Sequence, residues 1–376
     1  MLLFDWQTPQ DRDILTLAVK HGWQGNLYLC HAAYTLLTAE NLFSLRWERN
    51  RCRQDGLYAI ALEDIRQLQG VLKNLKTNSL LLNFQAAVPV TALGKAVNKL
   101  APRLLTETAK AVLSALVRHY VKAGCGIFAL TNFFRTDNTA RPIPVERSSG
   151  VTLDDLVGYD KQKAQLTANT EAFLAGKPAN NVLLYGDAGT GKSTSIQGLG
   201  LRYGKHGLRI IEVYKHQAGL IPTLFTQLKN RNYRFILFID DLSFEETELE
   251  YKQLKATLEG GTEPLPDNVL LYVTSNRRHL VRENWKDRDD MEHNGDMHRS
   301  ETMEEKLSLS ARFGLQIFYP SPSFAEYQNI VKTLAQKNAA AQKLTMEELH
   351  AAAARWEITS GSTSGRTARQ FINSLQ

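Results

Sequence analysis

Hydrophobic positions along this 376-residue chain follow two regimes. Over roughly the first 135 residues, apolar side chains recur every three or four positions, the spacing of helix faces. Residues 92–123 carry this pattern most clearly, around Lys95, Lys99, Lys110 and Arg118. Pro102 must break or restart the helix there, because it has no N–H to donate and its ring clashes with the preceding turn. From residue 181 the pattern shifts to short, nearly continuous apolar runs: NVLLY at 181–185, LRIIEV at 208–213, RFILFI at 234–239, NVLLYVT at 268–274 and LQIFY at 315–319. Runs without polar alternation predict strands covered on both faces, and the stretches between them are long enough for helices. The expected fold class is therefore α/β, a parallel sheet with helices on both faces. After Pro320 helical spacing returns in three pieces, 324–337, 345–357 and from about 366, with TSGSTSG at 359–365 offering capping hydroxyls and glycines before the last. RTDNTARPIPVERSSG at 135–150, with two prolines and a polar end, reads as a linker. The expected organisation is a mainly helical N-terminal domain over 1–135, a linker over 136–150, an α/β core over 151–320 and a helical lid over 321–376. No internal repeat is visible.

Composition changes this picture little. At 22% charged and 43% hydrophobic residues the chain is an ordinary globular sequence of two or three domains. No apolar run approaches the roughly 18 residues of a membrane span, and MLLFDWQTPQDRD has neither the basic start nor the apolar stretch of a secretory signal, so a cytoplasmic protein without a membrane partner is expected. Cys30, Cys52 and Cys125 are scattered and odd in number, which favours buried thiols over a disulfide framework or a zinc site. The net charge of +6 is uneven: residues 1–150 hold 18 Lys and Arg against 11 Asp and Glu, the remainder 27 against 28. Solvated helix faces and an anionic partner such as nucleic acid both account for that excess, and no recognised nucleic-acid module accompanies it.

Candidate chemistry centres on Gly186-Asp187-Ala188-Gly189-Thr190-Gly191-Lys192-Ser193, followed by Thr194, which fits the phosphate-loop pattern G-x-x-x-x-G-K-[ST]. An expected strand precedes it and an expected helix over 192–203 follows, so the helix N-terminus aims its unpaired N–H groups and positive dipole end at the loop. Lys192 then neutralises the β- and γ-phosphates, and the Ser193 hydroxyl is placed to ligate Mg²⁺. The apolar run 235–239 ends in Asp240-Asp241, which puts two carboxylates at the sheet edge where open α/β sheets bind ligands. Asp240 is read as the Mg²⁺-side carboxylate and Asp241 as the group that orients or deprotonates the attacking water.

The order of these motifs resembles the AAA+ ATPases. The wording GDAGTGKS, RFILFIDDLSFEE, LEGG, TSNRRHL, EEKLSLSARFG and SGRTARQF is similar to one bacterial branch, the domain-of-unknown-function 815 family of predicted ATP-binding proteins. The resemblance implies ATP and Mg²⁺ as ligands, and further roles. Asn276 would be the sensor that holds the attacking water, and Arg312 the arginine finger aimed at a neighbouring subunit's nucleotide, which makes a homo-oligomer, ring or open ring, the active unit. Arg369 would be the lid arginine, with Arg366 as its rival, and Val157, Gly158 and Tyr159 would pack on the adenine. The partner acted on, expected to be a protein client, is not written in the sequence.

Three features depart from the family pattern. Asp241 stands where most AAA+ motors have Glu, one methylene longer, which points to slow hydrolysis. Residues 214–220 (YKHQAGL) have the residue types of a pore loop without its compact spacing. Glu245 and Glu246 read as the charged start of a helix, and the polar insert 287–299, with His293, Asp296 and His298, as a solvated loop rather than a metal site.

Overall fold

The computed structural model describes residues 3–4, 6–7, 9–49, 55–75, 78–145, 151–244, 249–259, 265–277, 280 and 309–375. Glu245, Glu246, Cys52 and the insert 287–299 lie outside the described residues. The chain divides into two compact units, Met1–Thr131 with Asn230–Tyr233, and Asn132–Lys229 with Arg234–Gln376.

The first unit is helical, as its 3.6-residue spacing predicts. Its helices are α1 (Asp11–His21), α2 (Leu27–Thr38), α3 (Leu42–Glu48), α4 (Gly56–Lys73), α5 (Ala92–Leu100), α6 (Arg103–Thr106) and α7 (Ala109–Ala123), beside a two-stranded ribbon of β1 (Gln24–Gly25) and β2 (Phe84–Gln85). Polar side chains start the helices by accepting first-turn N–H groups: Asn26 for α2, Asp55 for α4, Thr91 for α5 and Thr108 for α7. Pro102 separates α5 from α6. The core gathers Phe4, Trp23, Phe43, Leu68, Leu116 and Tyr120, and takes in Cys30 and Cys125 as buried free thiols. One charged pair is also enclosed. Glu48, at 1% exposure, accepts two hydrogen bonds from the Arg231 guanidinium, at 2.7 and 2.8 Å, and a third from the backbone N–H of Cys125 at 3.0 Å.

The second unit contains a seven-stranded sheet built from β3 (Phe133–Thr136), β4 (Pro142–Pro144), β5 (Val182–Gly186), β6 (Leu208–Glu212), β7 (Arg234–Ile239), β8 (Val269–Ser275) and β9 (Leu315–Tyr319). The strand order is β4-β3-β6-β7-β8-β5-β9, and every neighbouring pair except β3–β4 is parallel. All seven residues of β8 are buried, as are residues 235–239 of β7, which is why both read as unbroken apolar runs. Helices α8 (Asp160–Leu174), α9 (Lys192–Tyr203), α10 (Ile221–Leu228) and α11 (Leu249–Leu258) connect the strands. Leu166, Phe173, Ile196 and Leu199 of α8 and α9 pack on Val182, Leu184, Ile236 and Tyr272 of the sheet. A lid of α12 (Phe324–Ala335), α13 (Met346–Ser360) and α14 (Gly365–Ser374) closes over its own apolar cluster of Tyr327, Val331, Leu349, Ala353, Ala368 and Phe371.

The linker expected over 136–150 is in part sheet. β3 and β4 form an antiparallel hairpin, and β3 pairs in parallel with β6, matching Phe133 to Ile210 and Arg135 to Glu212. Asp137 turns the hairpin by accepting the N–H groups of Thr139 and Arg141. Pro142 and Pro144, which suggest a loop when read alone, sit in the outermost strand, where one side of the backbone needs no ladder partner. The boundary between units therefore falls at Thr131–Asn132, ahead of the expected 135, and residues 146–150 of the expected linker are outside the described residues. Among the described residues, no helix is long and apolar enough to cross a membrane.

Candidate nucleotide site

The phosphate-loop sequence runs from the end of β5 into α9. Gly186 has φ of 135° and pairs with Tyr319 of β9, where an added Cβ would stand 2.0 Å from the Tyr319 carbonyl oxygen. Only glycine fits there. Gly189 and Gly191, with φ of 77° and 95°, continue the curl, and Lys192 opens α9, whose first-turn amides have no intrahelical acceptor. Residues 188–194 line a cavity of about 500 Å³ between the C-terminal edge of the sheet and the lid.

Five polar side chains, Lys192, Ser193, Asp240, Asp241 and Asn276, meet in that cavity from three elements, the start of α9 and the ends of β7 and β8. Lys192, only 6% exposed, donates to the carbonyl oxygens of Gly186 and Asp187, each at 2.7 Å, and to Asn276 Oδ1 at 3.0 Å. Burial lowers its pKa, and the carboxylates of Asp241, Asp187 and Asp240 oppose that shift. Asp240, just past β7, accepts the Ser193 hydroxyl at 2.5 Å. Asp241 follows in a left-handed conformation, φ 50°, and accepts from Asn276 Nδ2 at 2.7 Å. The amide of Asn276, just past β8, thus bridges Lys192 and Asp241. Thr190 is buried and donates to the Asp187 carbonyl at 2.8 Å.

The cavity is also lined by apolar residues, Val151, Leu156, Val157, Ile330 and Leu334. Val157 also packs against the lid cluster, whereas Gly158, φ 79°, serves to turn the chain toward α8. Both candidate lid arginines line the cavity. Arg366 lies nearer the phosphate loop: an added Cβ on Gly189 would stand 3.1 Å from Arg366 Cβ, and the guanidinium charge contributes to lowering the Lys192 pKa. Arg369, one turn further on, also borders a second recess with Asp155, Lys337 and Asn338. Arg312 stands outside the cavity, about half exposed and paired with Glu259 at 3.0 Å. Residues 215–220 form a 3₁₀ turn with Tyr214 and His216 stacked at 5.8 Å, a compact turn rather than an extended loop.

Other residues complete the site. Thr274, two residues before Asn276, donates to Asp240 Oδ1 at 2.5 Å and accepts the Asp241 N–H at 2.8 Å. Tyr159 stacks on Tyr319 with ring centroids 5.1 Å apart and donates to the Pro320 carbonyl. Ser321, where the lid begins, donates to Asp187 Oδ2 at 2.7 Å. Asp155 holds Lys337 of the lid at 2.5 Å, and that hydrogen bond keeps the Asp155 carboxyl well below the usual carboxylate range. The period-2 relation between Thr274 and Asn276 and the place of Tyr159 beside Val157 and Gly158 are visible in the sequence, whereas the Ser321–Asp187 and Asp155–Lys337 partners are far apart along the chain.

Residues 129–376 match the family described as Protein of unknown function (DUF815). The chain belongs to that family. Its core is a mainly parallel seven-stranded α/β fold with the glycine-rich GDAGTGKS loop leaving β5, two acids after β7 and a C-terminal helical lid. Among solved structures, the Holliday junction branch migration motor RuvB of Thermotoga maritima matches at 18% identity, covering 60% of this chain and 72% of that one, with a TM-score of 0.36. A single-site variant of that motor gives the same values. No curated protein matches the sequence.

Proposed function

We propose that this DUF815 protein is an Mg²⁺-dependent ATPase that works as an oligomer and couples nucleotide turnover to a partner protein. The observation that carries the reading is the convergence of Lys192, Ser193, Asp240, Asp241 and Asn276 in one lidded cavity, beside a helix N-terminus. The α9 amides and Lys192 bind the β- and γ-phosphates. Val157, Ile330 and Leu334 enclose the base. Ser193 and Asp240 offer the hard oxygen donors that Mg²⁺ selects, already 2.5 Å from each other, and the ion would neutralise charge on the transferring phosphoryl group when bound. Asp241 orients or deprotonates the attacking water, and Asn276 holds Asp241 and the water in register. Arg366 or Arg369 contacts the γ-phosphate from the lid, and Arg312, free of its own chain's cavity, serves a neighbouring subunit.

The test is ATP turnover against protein concentration for wild type, Arg312→Ala, Asp241→Ala and a one-to-one mixture of the two variants, with Lys192→Ala as the blank. A finger acting in trans contributes a rate factor of about 10³ to 10⁵. Activity that rises with concentration, collapses in each variant and partly returns in the mixture is the expected result. Phosphate release no greater than that of Lys192→Ala at any concentration would overturn the ATPase reading. A second reading, a switch that binds ATP tightly and hardly turns it over, is favoured by the short Asp241 side chain and its bond to Asn276. Tight binding with negligible turnover in the assembled state would select it.

A further inference from the structure

The two acids after β7 are held from one point, a threonine two residues before Asn276. The Thr274 hydroxyl lies within 2.8 Å of the Asp241 backbone N–H and 2.5 Å of Asp240 Oδ1. Polarity is forced: an amide N–H can only donate, so the hydroxyl accepts from Asp241 and gives its single proton to Asp240. Thr274 is 1% exposed, which leaves water little access to compete for either bond. Its β-branched side chain has few rotamers on a strand, so the hydroxyl is fixed by β8 itself.

We propose that Thr274 is the positioning residue of this site, setting both the carboxylate of Asp240 and the backbone turn that separates Asp240 from Asp241. Asp241 adopts a left-handed conformation, φ 50°, that non-glycine residues enter only when their surroundings hold them there. Two bonds hold it, Thr274 on its N–H and Asn276 on its carboxylate. Because Asp240 Oδ1 also accepts from Ser193, the Thr274 hydroxyl, the Asp240 carboxylate and the Ser193 hydroxyl form one chain of contacts across three elements. Without the Thr274 hydroxyl, Asp240 and Asp241 each lose a buried partner at once. The proposal rests on reading the cavity as an Mg²⁺-nucleotide site.

The test compares Thr274→Val, nearly the same shape without the hydroxyl, with Thr274→Ser, which keeps it. ATP affinity is titrated with a fluorescent ATP analogue in EDTA and in graded Mg²⁺, and turnover is measured alongside. Supporting groups behind metal ligands contribute roughly 10- to 100-fold in metal affinity or activity. In Thr274→Val we expect the Mg²⁺ half-saturation to rise and kcat to fall by about that factor, with affinity in EDTA and KM within about twofold of wild type; Thr274→Ser stays near wild type throughout. A merely structural role would weaken affinity in EDTA and Mg²⁺ alike. If the protein binds Mg²⁺-ATP without turning it over, the Mg²⁺ titration still decides. If wild type binds no nucleotide, the functional reading fails separately, and exchange of the Asp241 amide proton in the free protein decides: faster by about tenfold or more in Thr274→Val and unchanged in Thr274→Ser. Should Thr274→Val not melt cooperatively, Thr274→Ala takes its place. A hydroxyl-free variant with wild-type Mg²⁺ dependence and a protected Asp241 amide, or a Ser variant as impaired as Val, would overturn the proposal.

Discussion

Glu48 and Arg231 enclose opposite charges, and such a pair is costly to break, because the Arg231 guanidinium stays buried with only the part-exposed Glu40 carboxylate, at 3.1 Å, to balance it. Removing one partner of a buried pair costs about 3–5 kcal/mol. Glu48→Gln leaves Arg231, 8% exposed, with a neutral acceptor, so thermal melts of the full chain should show its helical unit destabilised by about 3 kcal/mol. Acid acts on the same unit through several groups, Glu48, His119 and the partly buried His31 among them. Burial alone would raise the Glu48 pKa, but the hydrogen bonds and charge of Arg231 carry it below the ordinary value. The stability it supplies is thus full above its unfolded pKa, about 4.3, and is lost as pH falls through the lower folded value. Burial pushes the His119 imidazole down to about 4, and among the described residues its Nε2 has no hydrogen-bond partner. The unfolded chain takes up that proton near pH 6.5, so stability is full above 6.5 and declines toward pH 4. Melting temperature against pH should fall over that window in wild type and fall less steeply in His119→Leu, His31 supplying the remaining slope; equal slopes would show that His119 does not contribute.

Elements differ in how much of their role the sequence exposes. The phosphate-loop sequence is legible because its glycines, lysine and serine act through local backbone geometry, and the strand and helix expected on either side of it are present. Asp240 and Asp241 are legible because an apolar strand delivers them to the sheet edge. α14 is harder: SGRTARQF gives two arginines one turn apart on one helix face, and spacing cannot rank them. The N-terminus of α14 does, by bringing Arg366 against Gly189, so Arg366→Ala should weaken ATP binding or slow turnover by about tenfold or more, with the smaller effect in Arg369→Ala, as steady-state kinetics would show. The reverse ranking would return the role to Arg369. The Ser321–Asp187 and Asp155–Lys337 bonds, which tie lid to core, join residues 134 and 182 positions apart and leave no trace in any local pattern.

At the scale of the whole chain, alternating apolar runs and helical stretches give the parallel sheet, but not its true first strand. FFRT is too short a run to announce a strand, and the prolines after it argue for a loop until the sheet supplies an edge to receive them. That hairpin covers the flank of β6. A fragment cut at residue 151, where the expected core begins, would therefore lay open the backbone donors and acceptors of LRIIE, five residues of mainly apolar strand with nothing alongside. Such an edge recruits other chains, so that fragment should precipitate or elute as large particles in size-exclusion chromatography, while one beginning at residue 129 keeps its flank capped and stays dispersed. Both lack Glu48, so the cost of stranding Arg231 is common to them and cancels from the comparison. For anyone preparing this α/β core by itself, the twelve residues from Phe133 to Pro144, most of which look like a tether, are the selvedge that stops the sheet from unravelling into its neighbours.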